Sequence, residues 1–230
     1  MTRSPTLPQG DHKRTEVTRM FDRIAGRYDR VNRVISLGFD RRWRRRTINS
    51  LNLPPTACVL DLACGTGALC IELEAAGYRS IGIDISQGML TAARIPTPLA
   101  RADVTCLPVP DGSVSEIVCG FALRNVVDLE AFFDECARVL RSEGRLALLD
   151  AAEPTNRWIR AGHHLWFHRL VPWLGARLSD AEAYRYLPDS LQYLPAPEKL
   201  LRLVSDRGFH SVTRITMMGG SIALITGTRR

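Results

Sequence analysis

The chain has 230 residues, 45% of them hydrophobic and 24% charged, with a formal net charge of +7. These values belong to a globular protein with ample residues for a core, and they exclude a fibrous or fully disordered chain. No apolar run is long enough to cross a bilayer, no apolar leader follows the N-terminus, and six scattered cysteines without a C-x-x-C pair exclude a disulfide framework and point to a reducing, cytoplasmic setting.

In chain order, residues 1–16 are polar and read as a disordered tail. Residues 17–53 read as a helical lid: Met20, Phe21, Ile24, Tyr28 and Val31 recur at helical spacing, and a second run continues past Gly38 to Trp43. Arg41, Arg42, Arg44, Arg45 and Arg46 form the densest basic cluster. It fits a solvated helix face, an anionic lipid surface or nucleic acid, and charge alone does not separate these. Leu53-Pro54-Pro55 marks the boundary to a core over residues 54–154. There strands at 58–62, 80–83, 99–102, 114–119 and 145–150 alternate with helices at 68–76, 87–94 and 129–140. Such alternation specifies an α/β fold with a parallel sheet covered on both faces. Residues 155–196 form an aromatic-rich helical insertion, and residues 197–230 supply a closing helix and two strands, at 209–217 and 221–228, joined across Gly219-Gly220.

The chemistry begins at the end of the first strand, where Asp61-Leu62-Ala63-Cys64-Gly65-Thr66-Gly67 runs into a glycine-rich turn. Glycine there lets a ligand press on the backbone. The second strand ends in Asp84-Ile85, placed to accept hydrogen bonds from a ribose, and the third leads to Asp103-Val104, placed to meet an adenine amino group at the same carboxyl edge. A dinucleotide site would carry a third glycine where Cys70 stands, and the carboxylate of Asp61 suits a cationic ligand better than a pyrophosphate. The pattern resembles the S-adenosylmethionine fold of class I methyltransferases. That resemblance implies a Rossmann-like seven-stranded sheet and an S-adenosyl-L-methionine site over Asp61, Ala63, Gly65, Thr66, Gly67, Asp84, Ile85, Met89, Asp103, Val104 and Gly120.

Three further segments carry a narrower resemblance: residues 20–29 (MFDRIAGRYD), residues 120–126 (GFALRNV) and residues 180–187 (DAEAYRYL). Together with the nucleoside motifs they are similar to the menaquinone/ubiquinone biosynthesis C-methyltransferases, over almost the whole chain. The resemblance implies methylation of a ring carbon of a polyprenyl hydroquinone, most simply demethylmenaquinol. Arg124 would orient the ring oxygen or a water, Asn125 would stand beside it, and Tyr28 would belong to a lid over the site. A family aspartate after the turn is Ala68 here, and a glutamate after the fifth strand is Asp150. The insertion, with Trp158, Trp166, Phe167 and Trp173, fits either a channel for a prenyl tail at a membrane interface or ordinary packing on the sheet. His164 and His168 share a helix face without a third ligand, so no metal site is expected. The expected partner is a lipophilic quinol, with peripheral contact to the inner membrane and no nucleic acid; a homodimer is left open. The segment after the fourth strand lacks the Pro-Pro-aromatic motif of amino-group methyltransferases on nucleic acid. Another quinone or a secondary metabolite as substrate, and a non-catalytic S-adenosylmethionine binder, stay open on the residues alone.

Overall fold

The computed structural model describes residues 8–53, 57–178 and 180–230. Its centre is a seven-stranded sheet of β1 (Cys58–Leu62), β2 (Arg79–Asp84), β3 (Leu99–Arg101), β4 (Val114–Gly120), β5 (Leu140–Ala151), β6 (Phe209–Met217) and β7 (Ile222–Arg229). The spatial order is β3-β2-β1-β4-β5-β7-β6, with β7 antiparallel to both of its neighbours and the other pairings parallel. The closing hairpin therefore inserts its second strand beside β5, and the change of strand order between β1 and β4 opens a crevice at the carboxyl edge.

Alternation along the strands sorts the core into two layers. Leu60, Leu62, Ile117, Cys119, Leu146 and Leu148 face one side, where they meet Phe132, Phe133 and Cys136 of α6 (Leu129–Val139) and Leu200 and Val204 of α10 (Pro197–Asp206). Val59, Val118, Ala147 and Leu224 face the other, against Ile48 and Leu51 of α3 (Asp40–Leu51) and Leu69 and Leu73 of α4 (Ala68–Ala75). Asp61 shares the second face, and its neighbours in the strand are fully buried apolar residues. A carboxylate at such a position demands a partner.

A third cluster sits above the carboxyl edge. Met20 and Ile24 of α1 (Gly10–Ile24), Val31 of α2 (Tyr28–Ile35), Met89 of α5 (Gln87–Ala92), Val171 of α8 (Val171–Leu178) and Ala183 of α9 (Ala181–Asp189) pack together. The insertion, which also includes α7 (Arg157–Leu165) and a π-turn at Trp166–Leu170, thus packs on the lid rather than on the sheet.

Two expectations change. The tail expected over residues 1–16 is helical from Gly10 onward, while residues 1–7 lie outside the described residues. The buried stripe of α1 is Lys13, Val17, Met20 and Ile24, so its first member is a lysine and the apolar periodicity starts one turn late. The Pro54-Pro55 boundary and the side chains of His168 and Tyr184 also lie outside the described residues. No helix among the described residues is long and apolar enough to cross a membrane, and no group of three metal-ligating side chains occurs among them.

Candidate active site

At the end of β1 the chain turns outward through Ala63 at φ 53°, Gly65 at 57° and Gly67 at 81°. The same left-handed step follows β4, where Phe121 has φ 61°. Non-glycine residues held in this region concentrate at ligand sites, because the surrounding structure must fix them there. Gly67 is the N-cap of α4, and its left-handed backbone conformation favours glycine.

Asp61 is 1% exposed. Its Oδ2 accepts a hydrogen bond from Cys70 Sγ at 3.3 Å, and its Oδ1 is buried with no partner. Burial pushes the carboxyl up to about 7, against the opposing pull of the Cys70 bond. It lines a cavity of about 50 Å³ together with Tyr28, Gly65, Thr66 and Gly120. A buried acceptor left open toward a cavity is matched by a cationic donor.

Asp84 braces the neighbouring loops. Its Oδ2 accepts from Gly65 N and its Oδ1 from Ser86 N, both at 2.8 Å, while burial raises its pKa against these bonds. Asp103 accepts from Thr105 N at 2.9 Å and pairs with Arg14 Nε at 3.1 Å. Beside it lies a cavity of about 80 Å³ between Val17, Ile85, Val104, Ala122 and Val126. Apolar walls with a carboxylate at the rim suit a flat heteroaromatic ring with an amino group.

Arg124 is 5% exposed and Asp150 likewise 5%. The guanidinium forms an ion pair through Nη1 with Asp150 Oδ1, its Nε donates to Ser190 Oγ at 3.0 Å, and its own backbone N–H donates to Asp150 Oδ2 at 3.2 Å. It lines a cavity of about 100 Å³ with Tyr28, Trp43, Arg44, Phe121 and Phe167. Burial raises the Tyr28 pKa, against a hydrogen bond with Asn32 and the charges of Arg124 and Arg44. Tyr28 is therefore a neutral phenol at physiological pH.

The expected residues divide among these spaces. Asp61, Ala63, Gly65, Thr66 and Gly120 line the glycine-turn cavity, and Ala63, Ile85, Asp103 and Val104 line the apolar slot. Tyr28 lies at the junction of the first cavity and that of Arg124. Asn125 does not stand beside the Arg124 guanidinium: it lines the slot, and its Oδ1 accepts from Tyr186 Oη at 3.2 Å. The 3-10 turn at Leu123–Asn125 separates the two neighbours. Met89 is 2% exposed in the lid cluster and contributes packing. The arginine cluster also divides: Arg41 and Arg45 clasp Glu72 of α4 at 2.7 and 2.8 Å, whereas Arg44 pairs with Asp40 at 2.7 Å inside the Arg124 cavity. Arg44 and Lys13 were hidden in the sequence, one within a run of like residues and the other within an apparent tail.

Beyond Phe167 and Trp43, the Arg124 cavity shares walls with a groove of about 400 Å³ lined by Ile35, Leu37, Ile159, Trp166, Met218 and Ile222. The glycine-turn cavity, the Arg124 cavity and the apolar groove thus lie in series, with Tyr28 and Phe121 lining the first two and Trp43 and Phe167 the last two.

Residues 9–229 match the ubiE/COQ5 methyltransferase family. The chain belongs to that family. A demethylmenaquinone methyltransferase of Roseiflexus sp. (strain RS-1) is 38% identical over 97% of this chain and 98% of its own length. A demethylmenaquinone methyltransferase of Mycobacterium sp. (strain KMS) is 39% identical over 95% of each. Among solved structures, an S-adenosylmethionine-dependent methyltransferase of Thermotoga maritima superposes with a TM-score of 0.66 at 18% identity, covering 92% of this chain and 99% of that one, which establishes the shared fold. The chain is an S-adenosylmethionine-dependent methyltransferase of quinone biosynthesis. Its residues fit the cofactor: the open Asp61 oxygen faces the glycine turn, and the apolar slot ends at an acid.

The buried Arg124–Asp150 pair sets a stability test. Asp150→Ala is expected to destabilise the protein by about 3–5 kcal/mol in urea unfolding, because Arg124 stays buried without its counter-charge, while an Arg124→Met/Asp150→Leu double variant loses far less.

Proposed function

We propose that the protein methylates a ring carbon of a polyprenyl hydroquinone, demethylmenaquinol, at the cytoplasmic face of a membrane. The observation that carries this reading is the series of adjoining spaces, from the Asp61 cavity through that of Tyr28 and Arg124 to the apolar groove. A cofactor methyl, a ring and an isoprenoid tail need these environments in this order. The names of the relatives support a naphthoquinol ring, and the six free cysteines support a reducing compartment.

When bound, S-adenosylmethionine supplies an electrophilic methyl on a sulfonium centre. Asp61 would accept from the cofactor's ammonium group, Asp84 from its ribose and Asp103 from its adenine. Gly65, with nothing within 4 Å of where a Cβ would lie, leaves the turn open beside the Asp61 cavity. Transfer to carbon needs a nucleophilic ring: the ring carbon becomes nucleophilic as the adjacent hydroxyl gives its proton to water, and the ring regains aromaticity when the hydrogen on the methylated carbon leaves as a second proton. Arg124 and Arg44, paired with Asp150 and Asp40, offer guanidinium N–H donors around the space for that oxygen. A guanidinium has five N–H donors, and the bonds to Ser190 and Asp150 take two from Arg124. Tyr28, neutral, closes the space between ring and cofactor and helps to hold the reacting atoms in contact, which supplies on the order of 7–11 kcal/mol in well-oriented reactions.

The insertion and lid expose large apolar residues, including Leu37 of the groove wall (63% exposed) and Trp158 (73%), Leu165 (52%) and Trp173 (51%) of the insertion. Arg157 and Arg177 stack on the rings of Trp158 and Trp173 at 4.7 and 4.4 Å. Tryptophan edged by arginine is the composition of a helix lying in an anionic membrane interface.

The first test is methyl transfer from labelled S-adenosylmethionine to reduced demethylmenaquinone held in vesicles. Label is expected on the naphthoquinol ring, and a failure to label any quinol would overturn the reading. Arg124→Ala is expected to lose turnover by about 10²-fold or more while affinity for S-adenosylhomocysteine stays within about threefold, since the lost charge acts on the ring oxygen. Equal loss of both would remove Arg124 from the substrate side.

The Asp61 carboxyl predicts a proton linkage. Only the ionised form pairs with an ammonium group, so cofactor affinity is flat above about pH 8 and falls about tenfold by about pH 6, with proton release on binding below neutrality. Calorimetry in buffers of differing ionisation enthalpy measures both quantities, and Asp61→Asn is expected to abolish the slope. A slope unchanged in Asp61→Asn would assign it to another group.

Sedimentation with phosphatidylglycerol vesicles is expected to retain the wild-type protein and to release a Trp158→Ser/Trp173→Ser variant, with affinity lower by about tenfold or more. Equal retention of both would place the membrane contact elsewhere.

A further inference from the structure

Lys13 is one of two lysines in the chain and is 3% exposed. Its Nζ donates to Arg124 O and to Val126 O, each at 3.0 Å, and sits 3.6 Å above the centre of the Tyr193 ring. Tyr193 in turn donates through its hydroxyl to Pro8 O at 2.7 Å. The first turn of α1 and the end of the insertion therefore close around the 3-10 turn that carries Arg124.

The position of this contact matters more than its burial. The backbone N–H of Arg124 donates to Asp150, and its backbone carbonyl accepts from Lys13. The peptide units on both sides of Arg124 are fixed by opposite charges from opposite directions, one from β5 beneath and one from the lid above. A 3-10 turn leaves its last carbonyls without partners inside the turn, and a cation at that end satisfies them. The next residue along, Arg14, pairs with Asp103 at the rim of the apolar slot. One turn of the lid helix thus touches both the substrate-side and the cofactor-side loops.

We infer that Lys13 is a positioning residue for the methyl transfer, which holds the Arg124 turn in its working geometry by hydrogen-bonding the Arg124 and Val126 carbonyls when the lid helix is seated. The inference rests on the placement of Arg124 on the substrate side. Lys13 touches neither ring nor cofactor and acts through the backbone. Desolvation lowers its pKa to about 8, with no carboxylate directly opposite to offset the burial. The charged groups on the segments it joins are Arg124, paired with Asp150, and Arg14, paired with Asp103.

The test uses the full chain with Lys13→Met, which keeps the length and removes the donor, and Lys13→Arg, which keeps the charge. Lys13→Met is expected to lower kcat by about tenfold or more, leaving KM for the quinol and affinity for S-adenosylhomocysteine within about threefold. Lys13→Arg is expected to recover most of the loss. In an Arg124→Ala background Lys13→Met should add less than about twofold, because the group it positions is gone. Amide hydrogen exchange supplies a readout independent of turnover. The amides of Arg124, Asn125 and Val126, bonded to Asp150, Ala122 and Leu123, should exchange faster in Lys13→Met than in wild type. Unchanged exchange in this segment, or a loss that multiplies in full with Arg124→Ala, would overturn the inference. If Lys13→Met does not fold, Lys13→Ala, which also removes the donors and leaves room for water beside the carbonyls, carries the same measurements. If Arg124→Ala keeps its turnover, the substrate-side reading fails, while exchange still decides whether Lys13 holds the turn.

Discussion

Open strand ends are the constraint on which this structure depends. A parallel sheet brings its loops to one edge, where backbone and side-chain polar groups point away from the core and find no partners within the sheet. The N-terminal helices meet that need loop by loop. Asp29 accepts from Thr66 in the turn after β1 at 2.7 Å, and Asp22 accepts from Ser86 and Gly88 after β2 at 2.5 and 2.8 Å. Arg14 holds Asp103 after β3, and Lys13 holds the carbonyls after β4. Lid and sheet are thereby joined at the loops that surround the cofactor site, and apolar packing around Met20, Ile24 and Met89 fills the space between those points.

This arrangement accounts for the unusual density of buried charge. Asp61, Asp84, Arg124, Asp150 and Lys13 are each less than a tenth exposed. Each has a different physical solution: a thiol and an open side for Asp61, two backbone N–H groups for Asp84, an ion pair with a serine for Arg124, and carbonyls with an aromatic face for Lys13. Asp61 alone retains an oxygen without a partner among these five, and it is the group assigned to the cofactor's cation. For this group, a bound ligand would relieve the cost of burial.

The sheet was legible in the sequence because buried parallel strands are short apolar runs and because turns with glycine mark their ends; β1, β4 and the closing hairpin needed nothing more. The residues of the glycine turn and the acids at two further strand ends were legible for the same reason. What escaped was anything that depends on contacts between distant segments. Lys13 is charged, so pattern reading placed it in a tail, although it opens a buried stripe. Arg44 is indistinguishable in the sequence from Arg41 and Arg45, and only the helical phase of α3 sends it to the cavity while they clasp Glu72. Arg124 and Asn125 are adjacent in a conspicuous motif, yet a tight turn directs them to different spaces. The insertion's aromatics suggested either sheet packing or a channel, and the lid took the place of the sheet because its own apolar stripe was otherwise uncovered.

The Lys13 ammonium meets Tyr193 and the carbonyls of residues 124 and 126, all of them remote in sequence. During synthesis α1 leaves the ribosome long before any of these partners exists, so its buried stripe stays in water while most of the chain is made. The sheet and its α6 layer can form without it, but the lid cannot settle until the end of the insertion has emerged. Contacts so remote in sequence form late, since their loop closure carries the largest entropic cost. Helix α1 is thus placed late relative to the segments made just after it, and the catalytic edge takes shape only once the end of the insertion is available.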